Sequence, residues 1–350
     1  MGRLARFVRT TEFSLAVIFV IGFALLAITS EGVVLSYQSL TSFMIYLAVP
    51  ILIGLAQMVV LSVRQMNLAI GAMGGVSCAV MAVGMASWGW PVWLALPVGF
   101  AVAVGLGALN GALVVVTRLN GLVITLATMT ILIGVQYLLV SAYTVDQYDQ
   151  TLKDVKLQAI GPVPYIFLLS LVVAAVVSWY FSRTATGRRI LATGGNPVAA
   201  TLSGISNDRS VFLAHTLSGA LVGCAAIVTM ASLPGINRSV GGDWLLPSFA
   251  APIIGGVMLA GGNVAILGTV LAAAVIRLID VARAQFSLDA SAVSFAVGAV
   301  VLGTVVLSEF RGRRAAHRAQ EAALRASVAE VTREIEKERL RQLRALQKKS

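Results

Sequence analysis

Charge is what this 350-residue chain has least of: 12% of its residues are Asp, Glu, Lys or Arg, while 58% are hydrophobic. Soluble domains carry about 25% charged residues, so an ordinary water-facing surface is excluded. Cysteine is nearly absent. Cys78 and Cys224 both sit in apolar runs, which leaves no disulfide framework and no thiolate metal site. His215 and His317 are isolated from each other and from any carboxylate cluster, so neither belongs to a metal or nucleophile site. None of the five lysines follows a glycine, which removes a Walker A loop, and no G-x-S-x-G or H-E-x-x-H pattern occurs. The chain therefore carries no means of its own to hydrolyse a nucleotide or an ester.

What is present is apolar runs of roughly 20 residues, long enough to cross a bilayer as helices. They fall near 13–29, 42–63, 67–87, 91–116, 121–142, 163–181, 211–231, 247–260, 264–282 and 290–309. The expected fold class is an all-α polytopic membrane protein of about ten transmembrane helices. Its parts are a short N-terminus (1–12), a membrane domain (13–309) and a basic tail (310–350). The first run follows basic residues but no small-residue cleavage pattern, so it reads as a retained anchor. The 33 glycines suit close helix packing in lipid.

The net charge of +11 does not indicate nucleic acid, because it lies in short loops and in the tail, where twelve Lys/Arg stand against five Glu. Arg3, Arg6 and Arg9 before the first helix place both termini in the cytoplasm by the positive-inside rule. Arg64, Arg118 and the 183–209 loop then fall inside, whereas Glu31, Asp146, Asp149, Asp154, Asp243 and Asp289 fall outside. Trp88, Trp90 and Trp93 mark an outer interface.

Two segments rich in glycine, 66–75 (MNLAIGAMGG) and 252–262 (PIIGGVMLAGG), occupy what would be corresponding places in two inverted-repeat halves. They read either as broken helices along a transport path or as sites of tight helix crossing. Charged residues within the runs are few; Arg277 and Asp280 have the i,i+3 spacing of a pair. Without a mid-membrane relay of ionisable groups, uphill transport needs energy from another chain.

The stretch SRTATGRRILATGGNPVAATLSGI (182–205) is a polar island between apolar runs. Gly194–Gly195 reads as a flexible turn, Asn196 as an N-cap, Pro197 as the first helical residue and Gly204 as the helix stop. Val198, Leu202 and Ile205 would form an apolar ridge, with Ala199 and Ala200 allowing close approach. From the residues alone, a docking element and an ordinary connector are equally good readings.

This stretch resembles the cytoplasmic loop of ATP-binding-cassette importer permeases of the ribose/monosaccharide type, a superfamily shared with branched-chain amino-acid permeases. The matching residues include Thr184, Gly187, Arg188, Gly194, Gly195, Asn196, Ala199, Ala200, Leu202, Ser203, Gly204 and Ile205. Asn110–Gly111 with 124–129 (ITLATM), and 253–268 (IIGGVMLAGGNVAILG), resemble further stretches of the same family. The resemblance implies inverted-repeat halves and a coupling loop at 183–209 that docks a separate ATPase, which alone binds ATP and Mg. It also implies a second permease copy or paralogue, an extracytoplasmic solute-binding protein and a bacterial inner-membrane location. The chain departs from the family where a G-G-I-D-L-S stretch becomes Arg64-Gln65-Met66-Asn67-Leu68-Ala69, a change compatible with a heterodimer.

The reading is thus a permease subunit, not an enzyme, with no cofactor or metal of its own, moving a monosaccharide or similar small polar solute. Branched-chain amino acids or nucleosides are rival cargoes, and a stand-alone secondary transporter is the rival class. Asn67, Asn110, Thr125, Thr128 and Asn263 are candidate path residues whose amides and hydroxyls suit a sugar, or equally interhelical hydrogen bonds. The tail carries Leu324, Val328, Val331 and Ile335 at helical spacing, as in a coiled coil, an ATPase clamp, a lipid-bound helix or a solvated one.

Overall fold

The computed structural model describes residues 11–140, 144–146, 152, 154, 158–286 and 298. Residues 1–301 form one unit and 302–350 another. The tenth apolar run, 290–309, and the tail lie outside the described residues apart from residue 298, as does residue Asp289.

Among the described residues eleven α-helices follow one another: α1 (Thr11–Thr29), α2 (Tyr37–Leu61), α3 (Ile70–Ser87), α4 (Val92–Thr117), α5 (Gly121–Leu139), α6 (Tyr165–Arg183), α7 (Ala185–Gly195), α8 (Pro197–Leu202), α9 (Asn207–Ser232), α10 (Leu245–Ile254) and α11 (Ile266–Gln285). A two-stranded antiparallel hairpin, β1 (Ala159–Ile160) with β2 (Val163–Pro164), precedes α6. Among the described residues, seven helices are long and apolar enough to cross a membrane: α1 to α6 and α9. The eighth expected run differs. Its helix α10 has ten residues and stops at Ile254, just after Pro252, and the chain continues without helix to Ala265. The ninth, α11, is long enough but carries Arg277, Asp280 and Arg283.

Helix α2 is the centre of the unit. From Ile51 to Leu61 every residue is buried, and α6, α9, α10 and α11 pack around it. Its apolar surface is continuous around the cylinder, as a helix enclosed by other helices requires. Ser36 caps it by accepting from the Ser39 N–H at 3.3 Å. The most extensive helix pairing joins α4 to α9. There Gly107 and Gly219 face each other so closely that a methyl on either would overlap the opposing backbone. Without a hydrophobic driving force in lipid, such close backbone approach is what holds membrane helices together.

The two glycine-rich segments turn out unlike each other. Gly71, Gly74 and Gly75 lie inside continuous α3, where they make room for the Gly241 carbonyl, the Trp244 ring and the Gln136 side chain with the Val240 carbonyl. Tight crossing explains them. The 255–265 segment is broken, with Gly256, Gly261 and Gly262 all at positive φ.

The helix ends sort the charges. One end of the bundle joins the 62–66, 118–121, 183–209 and 255–263 turns and holds Arg64, Arg118, Arg183, Arg188, Arg189 and Arg209, with Asp208. The other holds Glu31, Asp146, Asp243 and Arg238, where Val145 pairs with Ile236 and Arg238 Nε donates to the Val140 carbonyl at 2.8 Å.

Gly107→Ala should lower the thermal stability of the purified protein by about 1–3 kcal/mol, the usual cost of overpacking. Gly105→Ala, whose added methyl meets nothing within 4 Å, should leave the melting temperature unchanged or raise it slightly through helix propensity. Equal melting temperatures for the two variants would contradict this packing account.

Candidate functional site

The polar island folds as two short helices between α6 and α9. Thr184 caps α7 by accepting from the Gly187 N–H at 3.0 Å, and Asn196 caps α8 by accepting from the Ala199 N–H at 3.0 Å. Pro197 takes the first position of α8, where its missing N–H costs nothing. Gly204, at φ 77, reverses the chain after Ser203, and Ser206 opens α9. These caps are local, so they follow from the sequence.

Gly194 and Gly195 are not a flexible turn. They close α7 as helical residues, and the bend falls at Asn196 instead. The cause is packing: a methyl at Gly194 would overlap the Ser62 carbonyl oxygen and crowd the Gly262 nitrogen. The Gly262 N–H donates to the Ser62 carbonyl at 2.9 Å. Thus the turn after α2, the end of α7 and the 255–265 break share one junction of backbone against backbone.

Arg64 completes that junction. Its Nε donates to the Gly194 carbonyl at 2.5 Å and its Nη2 to the Gly195 carbonyl at 2.6 Å. A guanidinium here satisfies two carbonyls at a helix C-terminus, where positive charge is also favoured by the helix dipole. Arg64 itself is at φ 61, a left-handed backbone that ordinarily suits glycine. Next to it, Gln65 Oε1 accepts from the Gly121 N–H at 2.8 Å, so α5 starts on the same turn. Both side chains stand where the resembled pattern has a glycine pair. Neither was among the residues expected to matter, and that departure was the only signal for them.

On its other side α8 is fastened to α9. Asn207 Nδ2 donates to the Pro197 carbonyl at 3.0 Å and to Thr201 Oγ1 at 2.9 Å. Thr193 Oγ1 donates to Ser210 Oγ at 2.9 Å, joining α7 to α9. Arg118 and Asp208 form a two-armed ion pair at 2.5 and 2.8 Å between the α4–α5 turn and α9. The hydrogen bond to Asp208, then its charge, raises the Arg118 pKa above its ordinary value.

Held this way, α8 buries Ala200 and leaves Val198 71% and Leu202 85% exposed. Ala199 and Ser203 are exposed beside them, while Ile205 turns back to line a groove of about 480 Å³ with Arg189, Arg209 and Ser210. The apolar ridge is therefore Val198 and Leu202 alone.

Four of the five candidate path residues are buried. Asn67 Nδ2 reaches Met73 Sδ at 3.7 Å and Ser218 Oγ at 3.5 Å, and Asn110 Nδ2 reaches the same sulfur at 3.6 Å. Asn67 Oδ1 also accepts from the Ala69 N–H at 3.0 Å and so shapes the turn into α3. Thr125 Oγ1 accepts from the Leu68 N–H at 3.0 Å, and Thr128 bonds to its own helix. His215 lies fully buried on α9 beside Gly111 of α4, with neither ring nitrogen hydrogen-bonded among the described residues. Asn263 is elsewhere. It accepts from the Met258 N–H at 2.9 Å and donates to the Gly256 carbonyl at 3.2 Å, which fixes the shape of the 255–265 break. No group of three or more His, Cys, Asp or Glu that could hold a metal occurs among the described residues.

Comparison with known proteins gives a consistent result. The family described as branched-chain amino acid transport system / permease component matches residues 37–307. The autoinducer 2 import system permease protein LsrC of Enterobacter sp. (strain 638) is 32% identical over 293 residues, covering 82% of this chain and 83% of the relative. LsrC of Klebsiella pneumoniae subsp. pneumoniae is 33% identical, covering 77% and 78%. LsrC of Yersinia enterocolitica is 33% identical, covering 83% and 79%. No solved structure matches the chain.

Replacing Arg64 by Gly relieves a left-handed backbone, worth about 1–2 kcal/mol. It also removes two bonds from a charged donor, one part-buried and one exposed, worth about 1.5–3 kcal/mol each at most. The net effect should free the end of α7. Limited trypsin digestion should then cut after Arg188 or Arg189 several-fold faster in Arg64→Gly than in the native chain, and equal rates would show that the bonds do not fasten α7.

Proposed function

The chain belongs to the branched-chain amino acid transport system / permease component family, and from that premise we propose that α8 docks it onto a separate ATPase and that its cargo is a small sugar-like solute. It is the permease subunit of an ATP-binding-cassette importer, a transport subunit and not an enzyme. The observation that carries the docking proposal is the exposure of Val198 and Leu202 on a helix tied to α9 by Asn207 and preceded by the α7 end that Arg64 holds. Large apolar side chains exposed singly mean little, but a pair raised on a rigid short helix suits insertion into an apolar groove of a partner. Arg183, Arg188, Arg189 and Arg209 around it suit an acidic rim on that partner.

In this reading the arginine-rich end faces the cytoplasm of a bacterial inner membrane, by the positive-inside rule, and the chain crosses ten times. The partner ATPase binds ATP and Mg; this chain holds neither. Movement of α8 passes into α2 through the Ser62–Arg64 turn and into the 255–265 break through Gly262. A second permease chain completes the pathway, and a solute-binding protein meets the opposite end. Asn67 and Asn110, packed shut around Met73, line the pathway once these helices part.

The relatives are named for autoinducer 2, and we take that solute, or a monosaccharide of similar size, as the cargo. The family description favours branched-chain amino acids as the second reading.

The double variant Pro197→Gly with Leu202→Asp should abolish ATP-dependent solute uptake by membrane vesicles while the chain still inserts at native level. The native chain should co-purify with an ATPase subunit and the variant should not. Full uptake by the variant would remove the docking proposal.

A further inference from the structure

At the end of the bundle away from α8, a cavity of about 250 Å³ opens between α2, the last turn of α9, the 240–244 turn, the start of α10 and the second half of α11. Arg277, Asp280 and Asp243 meet there, and the other walls include Tyr46, Trp244 and Thr229. Charged groups on membrane helices are costly to insert, so two on one helix beside a third on the adjoining turn call for a function.

The geometry gives each group a defined part. The Arg277 guanidinium lies over the Tyr46 ring, 5.1 Å from its centroid, and its Nη1 stands 3.7 Å from Asp280. That separation makes an ion pair but not a good hydrogen bond. Arg277 Nε is buried and donates to nothing among the described residues. The guanidinium is thus paired with Asp280 and oriented by the Tyr46 ring. Thr229 Oγ1 donates to the Ala225 carbonyl at 2.8 Å, which leaves its lone pairs free to accept. Trp244 is buried and wedged against Gly74, where no larger residue would fit. The cavity is smaller than the ~300–1,000 Å³ of sites for drug-sized ligands.

We propose that this cavity is the site at which the permease first holds its cargo, and that it takes one small, neutral, polyhydroxylated molecule. Ligand hydroxyls donate to the Asp243 and Asp280 carboxylates and accept from the Arg277 guanidinium, and the aromatic walls cover the carbon face. Asp243 and Asp280 stand in the cavity wall with Arg277, Arg283 acts on Asp280 from the next turn of α11, and Arg277 is already paired. An amino acid could set its ammonium against Asp243, but its carboxylate would have to displace Asp280 from Arg277, whereas a hydroxylated ligand bonds to all three groups without breaking that pair. The proposal rests on the importer reading and extends it. The cavity touches α2 at Ile45–Ile53, and the far end of that same helix enters the junction with α7.

The test uses the full-length chain in lipid nanodiscs, with Cys78→Ala and Cys224→Ala and a single new thiol, Val49→Cys, in the cavity wall. The rate of modification by a small, membrane-impermeant thiosulfonate is measured with D-ribose, autoinducer 2 or L-leucine as probe. Slowing by ribose or by autoinducer 2, severalfold and saturable, is the expected result. In Asp243→Asn, on the exposed rim, the half-protecting concentration should rise about tenfold. Protection by neither hydroxylated probe, or by leucine in their place, would overturn the proposal. Where Val49→Cys fails to reach the membrane, Leu233→Cys on the opposite wall serves the same measurement. ATP-dependent uptake by the assembled transporter is followed separately. Protection without any uptake by the native protein would count against the importer reading and leave the cavity assignment standing.

Discussion

The described fold depends on one steric constraint: the turn after α2, the end of α7 and the 255–265 break meet with no side chain between their backbones. At Gly194 the helix α7 lies against the Ser62 carbonyl, and Gly262 donates to that same carbonyl. Any Cβ at Gly194 would separate α7 from the end of α2, and with it α8 from the centre of the bundle. Arg64 then reaches over the contact to the last two carbonyls of α7. The junction is rigid because it is made of backbone, whose hydrogen bonds leave little rotameric freedom.

Rigidity at that point gives α8 its mechanical meaning. A short helix of six residues has almost no stability alone, since helix nucleation is costly and tertiary packing supplies most of the stabilisation. Here the anchoring comes from Asn207 on one side and Arg64 on the other, and Ala200 is the buried face. In the proposed docking, a load on Val198 and Leu202 would pass to α9 through Asn207 and to α2 through the end of α7. Helix α2 runs from this junction to the cavity holding Arg277 and Asp280, so the two ends of the molecule share one buried element.

Features set by short-range chemistry were legible in advance. Seven long apolar helices announced themselves by composition, and the caps at Asn196, Pro197 and Gly204 by residue type, because each acts within one helical turn. The glycines of α3 and of 255–262 could not be told apart in the same way. In one case they admit the Trp244 ring and the Gly241 carbonyl into a continuous helix, and in the other they take positive φ in a broken one. What distinguishes them lies on segments distant in the chain, such as the 240–244 turn for Gly71 and Gly74 and Arg64 for Gly261. Asn263, grouped with Asn67 and Asn110 by its chemistry, is separated from them by its place in the 255–265 break.

By itself, then, the sequence determined that the chain carries apolar helices long enough to cross a membrane and that residues 183–209 form a capped polar loop. These follow from composition and from contacts within a few residues. Only the tertiary structure decided that Gly194 and Gly195 are helical, that Arg64 holds them, that Ile205 leaves the exposed ridge, and that Arg277 and Asp280 border a cavity. Each of those depends on which distant backbone comes close enough to exclude a side chain or receive a hydrogen bond, and no local pattern encodes that distance.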